Sequence, residues 1–142
     1  LDSLDQHRAY LAAECRAAQA APLSRRKAML VAALVDAYVD RMFAARPDAE
    51  DVLAFRAELA AGSPALGLIM ALCAGSTDLA VVIEAVEVPL AEYGALGVED
   101  FMVSLYNDHS VQRLRLALPD GGRRDLLDVL GEAVSTLNNP TS

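Results

Sequence analysis

The chain has 142 residues, enough for one domain; 54% are hydrophobic, 23% charged and 5% aromatic. This apolar content excludes intrinsic disorder, and 8 Gly, 6 Pro and 2 Cys exclude the collagen-like, low-complexity and disulfide-framework classes. Twelve Lys and Arg against twenty Asp and Glu leave a net charge of −8, which argues against a nucleic-acid surface because phosphate binding needs clustered cations.

The first predicted helix covers about Ser3 to Ala20. Ser3 is a good N-cap residue, and Leu4, Leu11, Cys15 and Ala18 recur at helical spacing. Pro22 breaks the chain and Ser24 caps a long second helix running to about Ala45. Its stretch from Ala28 to Val35 contains no polar residue, and a helix apolar on all sides is expected to be buried on all sides. Asp36 and Asp40, four apart, share one face. A hard cation needs several more oxygens than they supply, so they read as a solvated face.

Asp48 is the predicted cap of a third helix, with Val52, Phe55 and Leu59 as its stripe and Gly62 as its end. Ser63-Pro64 opens a fourth, as N-cap and first-turn proline, that stops at Gly75. It too is apolar on more than one side. Ser76-Thr77-Asp78 starts a fifth segment in which Leu79, Val82, Ile83 and Val86 fit helical spacing. The β-prone Val81-Val82-Ile83 makes a strand the alternative.

Val98 to Tyr106 reads as a short helix with Val98, Phe101, Met102 and Leu105 on one stripe. In the next segment, Leu114, Leu116 and Leu118 alternate as in a half-buried strand, while Val111, Leu114, Arg115 and Leu118 also suit a helix. Pro119-Asp120-Gly121-Gly122 is a turn in either case. A last helix is expected from about Arg123 to Leu137. The fold class is therefore mostly α: a compact, bundle-like single domain of about six to eight helices, with a short strand or hairpin in 100–118 and an α+β architecture as the alternative. Residues 1–137 form the domain and 138–142 a frayed tail.

Cys15 and Cys73 are scattered and form no C-x-x-C, which fits a reduced cytoplasmic protein. The N-terminal residues lack a signal peptide's basic and apolar regions, and the longest apolar run, Pro64 to Ala74, is far short of the roughly 20 residues of a membrane span. The basic runs Arg25-Arg26-Lys27 and Arg123-Arg124 read as solvated charge rather than anion sites.

No zinc, P-loop, EF-hand, dinucleotide or hydrolase motif is present, so no metal or cofactor is expected and an enzyme is disfavoured. The densest polar group is Tyr106-Asn107-Asp108-His109-Ser110, followed by Gln112 and Arg113. Its chemical reading makes His109 a base, Asp108 its orienter and Arg113 an anion clamp, with Tyr106 and Asn107 as binding groups. The plainer reading makes Asn107 and Asp108 turn and cap residues. No known family is recognisable.

The expected function is a non-catalytic interaction or regulatory domain. Its surplus of apolar helix faces is taken up by self-association, most simply a homodimer, and an acidic surface would suit a protein partner. A small-molecule binder or enzyme using 106–113 is the alternative, and a nucleic-acid-binding regulator is a third that the acidity disfavours.

Overall fold

The structure, a computed structural model, describes residues 3–46, 51–88, 96–106 and 110–138. Leu4, His7, Leu11, Cys15 and Ala18 follow one another every three or four residues and turn one side of α1 (Ser3–Gln19) into the core. After a turn in which Ser24 N–H reaches Ala21 O, α2 (Arg25–Ala44) returns alongside α1. Ser24 Oγ accepts the N–H of Lys27 at 3.2 Å and so satisfies one of the first-turn donors.

The two apolar segments behave differently. Ala28, Val31, Ala32 and Val35 of α2 are buried, but Leu30 is 45% exposed and Ala33 is exposed too. The expected burial on all sides is therefore corrected: α1, α4 and α6 occupy one side of α2, and the opposite side meets water. The fourth helix, α4 (Pro64–Cys73), does fulfil it. Every residue from Ala65 to Cys73 is buried or half-buried.

Before it, α3 (Val52–Gly62) is capped by Asp51, whose Oδ1 accepts the Leu53 N–H at 3.0 Å. Asp48, the expected cap, lies outside the described residues. Ser63 closes α3 through its N–H to Leu59 O and opens α4 by accepting the Leu66 N–H on Oγ. One residue can serve both helices because its extended backbone breaks the first and suits the cap position of the second. At the far end of α4, Gly75 takes φ +79, Ser76 N–H reaches Ala71 O and Gly75 N–H reaches Leu72 O. This paired closure uses the left-handed conformation that glycine adopts without strain.

The fifth segment is a strand, not the expected helix. β1 (Ala80–Glu87) pairs antiparallel with β2 (Ser110–Ala117), placing Val81 opposite Leu116 and Ile83 opposite Leu114. The apolar spacing suits a helix or a strand, and the strand half-buries Val81, Val82 and Val86 while leaving Ile83 exposed; the availability of β2, more than 20 residues on, decides for the strand. The ambiguous stretch after His109 is thus also a strand. A tight turn, with Gly121 at φ +86 and its N–H on Leu118 O, leads to β3 (Arg123–Asp125). The last helix, α6 (Leu126–Asn138), therefore starts three residues later than expected, because 123–125 is spent pairing with 115–117.

Among the described residues, six helices and a small antiparallel sheet of order β1-β2-β3 make a mostly α fold. Helices α1, α2, α4 and α6 enclose the core, and α3 lies against α2 and α4. The sheet joins this bundle through α6: Leu114 enters the helical core and Val81 packs against it. The short α5 (Val98–Tyr106) sits on β2.

Candidate functional site

Of the five residues singled out as a site, Asn107, Asp108 and His109 lie outside the described residues. Tyr106 is the last residue of α5. Arg113 lies on β2, and there the chemistry differs from an open anion clamp. Its Nη2 donates to Asp100 Oδ2 at 2.9 Å, and Nη1 donates to Gln112 O at 2.8 Å. Both partners of the ion pair are mostly buried, so the guanidinium is engaged in fastening the first turn of α5 to the sheet.

The sequence does not reveal what α5 does with its apolar stripe. Val98, Met102 and Leu105 are 83%, 49% and 52% exposed, and Phe101 and Val103 are exposed as well. The side that Asp100 occupies is turned to the protein, while the stripe at i, i+4 and i+7 is turned to water. Exposed apolar surface thus lies on α5 as well as on the outer side of α2, where Leu30 is exposed, while α4 is covered.

A trough runs between α5 and the turn that joins α1 to α2. One part, of about 410 Å³, is lined by residues 20–24 on one side and by Glu99, Asp100, Val103 and Gln112 on the other. A second part, of about 340 Å³, shares Ala20, Pro22, Glu99 and Asp100 with it and reaches Gln19 and Arg113 on one side and residues 96–98, Val98 of the outward stripe included, on the other.

Behind Arg113, Arg115 and Asp125 face one another across the β2–β3 ladder. Burial and the neighbouring Asp128 push the Asp125 carboxyl above the ordinary range, although the Leu127 N–H, Arg115 and Arg113 pull the other way. Because the folded state holds the Asp125 proton more tightly than the unfolded chain does, this group weakens folding as pH rises past about 4 and through its raised value. Asparagine can accept the same Leu127 N–H without the charge. Asp125→Asn is therefore expected to raise the melting temperature at pH 7 and to leave it unchanged near pH 3, as followed by circular dichroism. A lower melting temperature at pH 7 would contradict the argument.

The basic runs are largely tied down. Arg25 Nη2 donates to Val81 O at 3.0 Å, joining the start of α2 to β1, while Arg123 pairs with Glu84 and Arg124 with Glu132. Asp36 and Asp40, read as a solvated face, both accept hydrogen bonds from Arg56 of α3. Cys15 and Cys73 are free thiols. Burial raises the pKa of both, so neither has the character of a nucleophile.

One polar residue of the core escaped the sequence reading. His7 lies three residues after Leu4 and four before Leu11, on the α1 stripe, and is buried. Its Nε2 donates to Leu34 O at 2.9 Å, and its ring meets Tyr38 edge-on at 5.2 Å. That stripe spacing was the available signal.

No described helix is long and apolar enough to cross a membrane. No protein-family model, characterised protein or solved structure matches this chain.

Proposed function

We propose that the chain is a non-catalytic interaction domain that works as a homo-oligomer, most simply a twofold dimer, with α5 at the contact. The observation that carries this reading is the outward apolar stripe of Val98, Met102 and Leu105. Large apolar side chains concentrated on one short helix face mark contact sites on soluble domains. A second copy is the occupant that fits best. A twofold contact needs only one patch, and this stripe can pack on itself at helical spacing. Asp100 is held by Arg113 on the inner side, so that carboxylate does not meet its equivalent across the axis. The unbridged cysteines fit a cytoplasmic setting, and the net charge of −8 disfavours nucleic acid as a partner.

Sedimentation equilibrium over roughly 1–100 µM, where contacts of this kind associate, tests the reading. The wild type is expected to dimerise within this range. Met102→Glu is expected to weaken association by about tenfold or more, because it places a charge where an apolar side chain would be buried. Its melting temperature as a monomer should match wild type, since Met102 is half-exposed there. A wild type that stays strictly monomeric throughout overturns the proposal.

A further inference from the structure

We infer that the trough between the 20–24 turn and α5 is a binding site for a small organic cation, an apolar body carrying an ammonium group. Its larger part, about 410 Å³, falls in the size range of small-molecule sites, which runs from about 300 to 1,000 Å³. Leu23 and Val103, both exposed, supply apolar wall, and Gln112 adds a neutral polar group. An apolar ligand body would cover surface that now faces water.

The sign of the ligand's charge follows from how the charged groups pair. Arg113 and Asp100 neutralise one another at 2.9 Å. Glu99, which lines both parts of the trough, makes no ion pair among the described residues. One exposed negative charge is therefore left beside an apolar wall, where it is open to a cationic partner. The whole chain, at −8, raises the local concentration of cations further. A metal ion is a poorer match, because a hard cation asks for six or more oxygens and one of the two carboxylates is already committed to Arg113. An anion would meet the like charge of Glu99, with Arg113 already occupied.

Self-association uses the stripe of Val98, Met102 and Leu105, of which Val98 alone also borders the smaller part of the trough; the larger part, with Leu23, Val103 and Gln112, lies off that stripe. The test is titration of the whole chain with 2-phenylethylamine, 2-phenylethanol and 3-phenylpropanoate, three probes of similar body and different charge, followed by NMR at Gln112 and Val103. The amine is expected to give a saturable shift at both residues. The alcohol should bind about tenfold more weakly and the carboxylate not at all. Glu99→Gln is expected to reduce the amine's affinity to that of the alcohol without changing the melting temperature. The inference is overturned if no saturable shift appears with the amine, if the alcohol binds as tightly, or if Glu99→Gln binds the amine as wild type does.

Discussion

Tyr38→Ala is expected to destabilise the chain by about 3–5 kcal/mol, the largest effect of any single substitution considered. Tyr38 is only 1% exposed and sits at the α1–α2 interface. Its ring meets that of His7 in a T-shaped contact, and its hydroxyl accepts from Arg8 Nε at 3.2 Å and Nη2 at 3.0 Å. Truncation opens a cavity between two helices whose other buried side chains are mostly small, Ala18, Ala28 and Ala32 among them, and which have little bulk with which to refill it. It also removes the acceptor that holds Arg8. Tyr38→Phe keeps the ring and should cost about 1 kcal/mol, the net worth of the hydrogen bonds. Urea unfolding followed by circular dichroism separates the two variants. An alanine variant within about 1 kcal/mol of wild type would show that the interface collapses around the gap.

The second large effect is expected at Arg56, which joins α3 to α2. Nη1 donates to Asp36 Oδ1 at 2.8 Å, and Nη2 donates to Asp40 Oδ1 at 2.9 Å and to Asp36 O at 3.2 Å. Burial lowers the guanidinium pKa, but the hydrogen bonds and charges of Asp36 and Asp40 outweigh it and the net shift is upward. Removing the arginine leaves two carboxylates four residues apart on one helix face, facing each other without a counter-charge. Arg56→Met keeps the packing of the stem. It should still cost about 2 kcal/mol, less than a fully buried pair because Asp40 is largely exposed. Arg56→Lys should recover less than half of that, since a single ammonium cannot span both carboxylates as the planar fork does. Equal stability of the lysine variant and wild type would show that charge alone is at work.

These two sites show where sequence and structure part company. Tyr38 is legible as core, since it lies on the stripe with Val31, Leu34 and Val35, but its neighbours His7 and Arg8 come from 30 residues away. Asp36 and Asp40 look solvated because nothing within their own helix neutralises them. Their partner enters only when α3 folds back over α2. The candidate site follows the same pattern. Arg113 stands out among polar neighbours in the sequence, but its engagement by Asp100 depends on how α5 is laid on β2.

Local chemistry, by contrast, is written plainly in the chain. Ser24 and Ser63 cap the helices that follow them, Pro64 sits in a first turn, and Gly75 and Gly121 take the positive φ that ends a helix or closes a hairpin. These features depend on one to five consecutive residues, so the ends of α2 and α4 are legible locally, as the i, i+3, i+4, i+7 stripe makes α5 legible, and with them the mostly helical character of the fold. Long-range packing is needed to fix the identity of segments that satisfy two periodicities at once, and the direction in which an amphipathic segment faces. Residues 80–87 suit either geometry by their apolar spacing, with none of them fully buried in the strand, and the pairing with β2 settles the matter. The stripe of α5 would point inward on periodicity alone. It points outward in the fold, where Asp100 takes the inner side in its pair with Arg113, and a nine-residue helix cannot present both faces to the same neighbour.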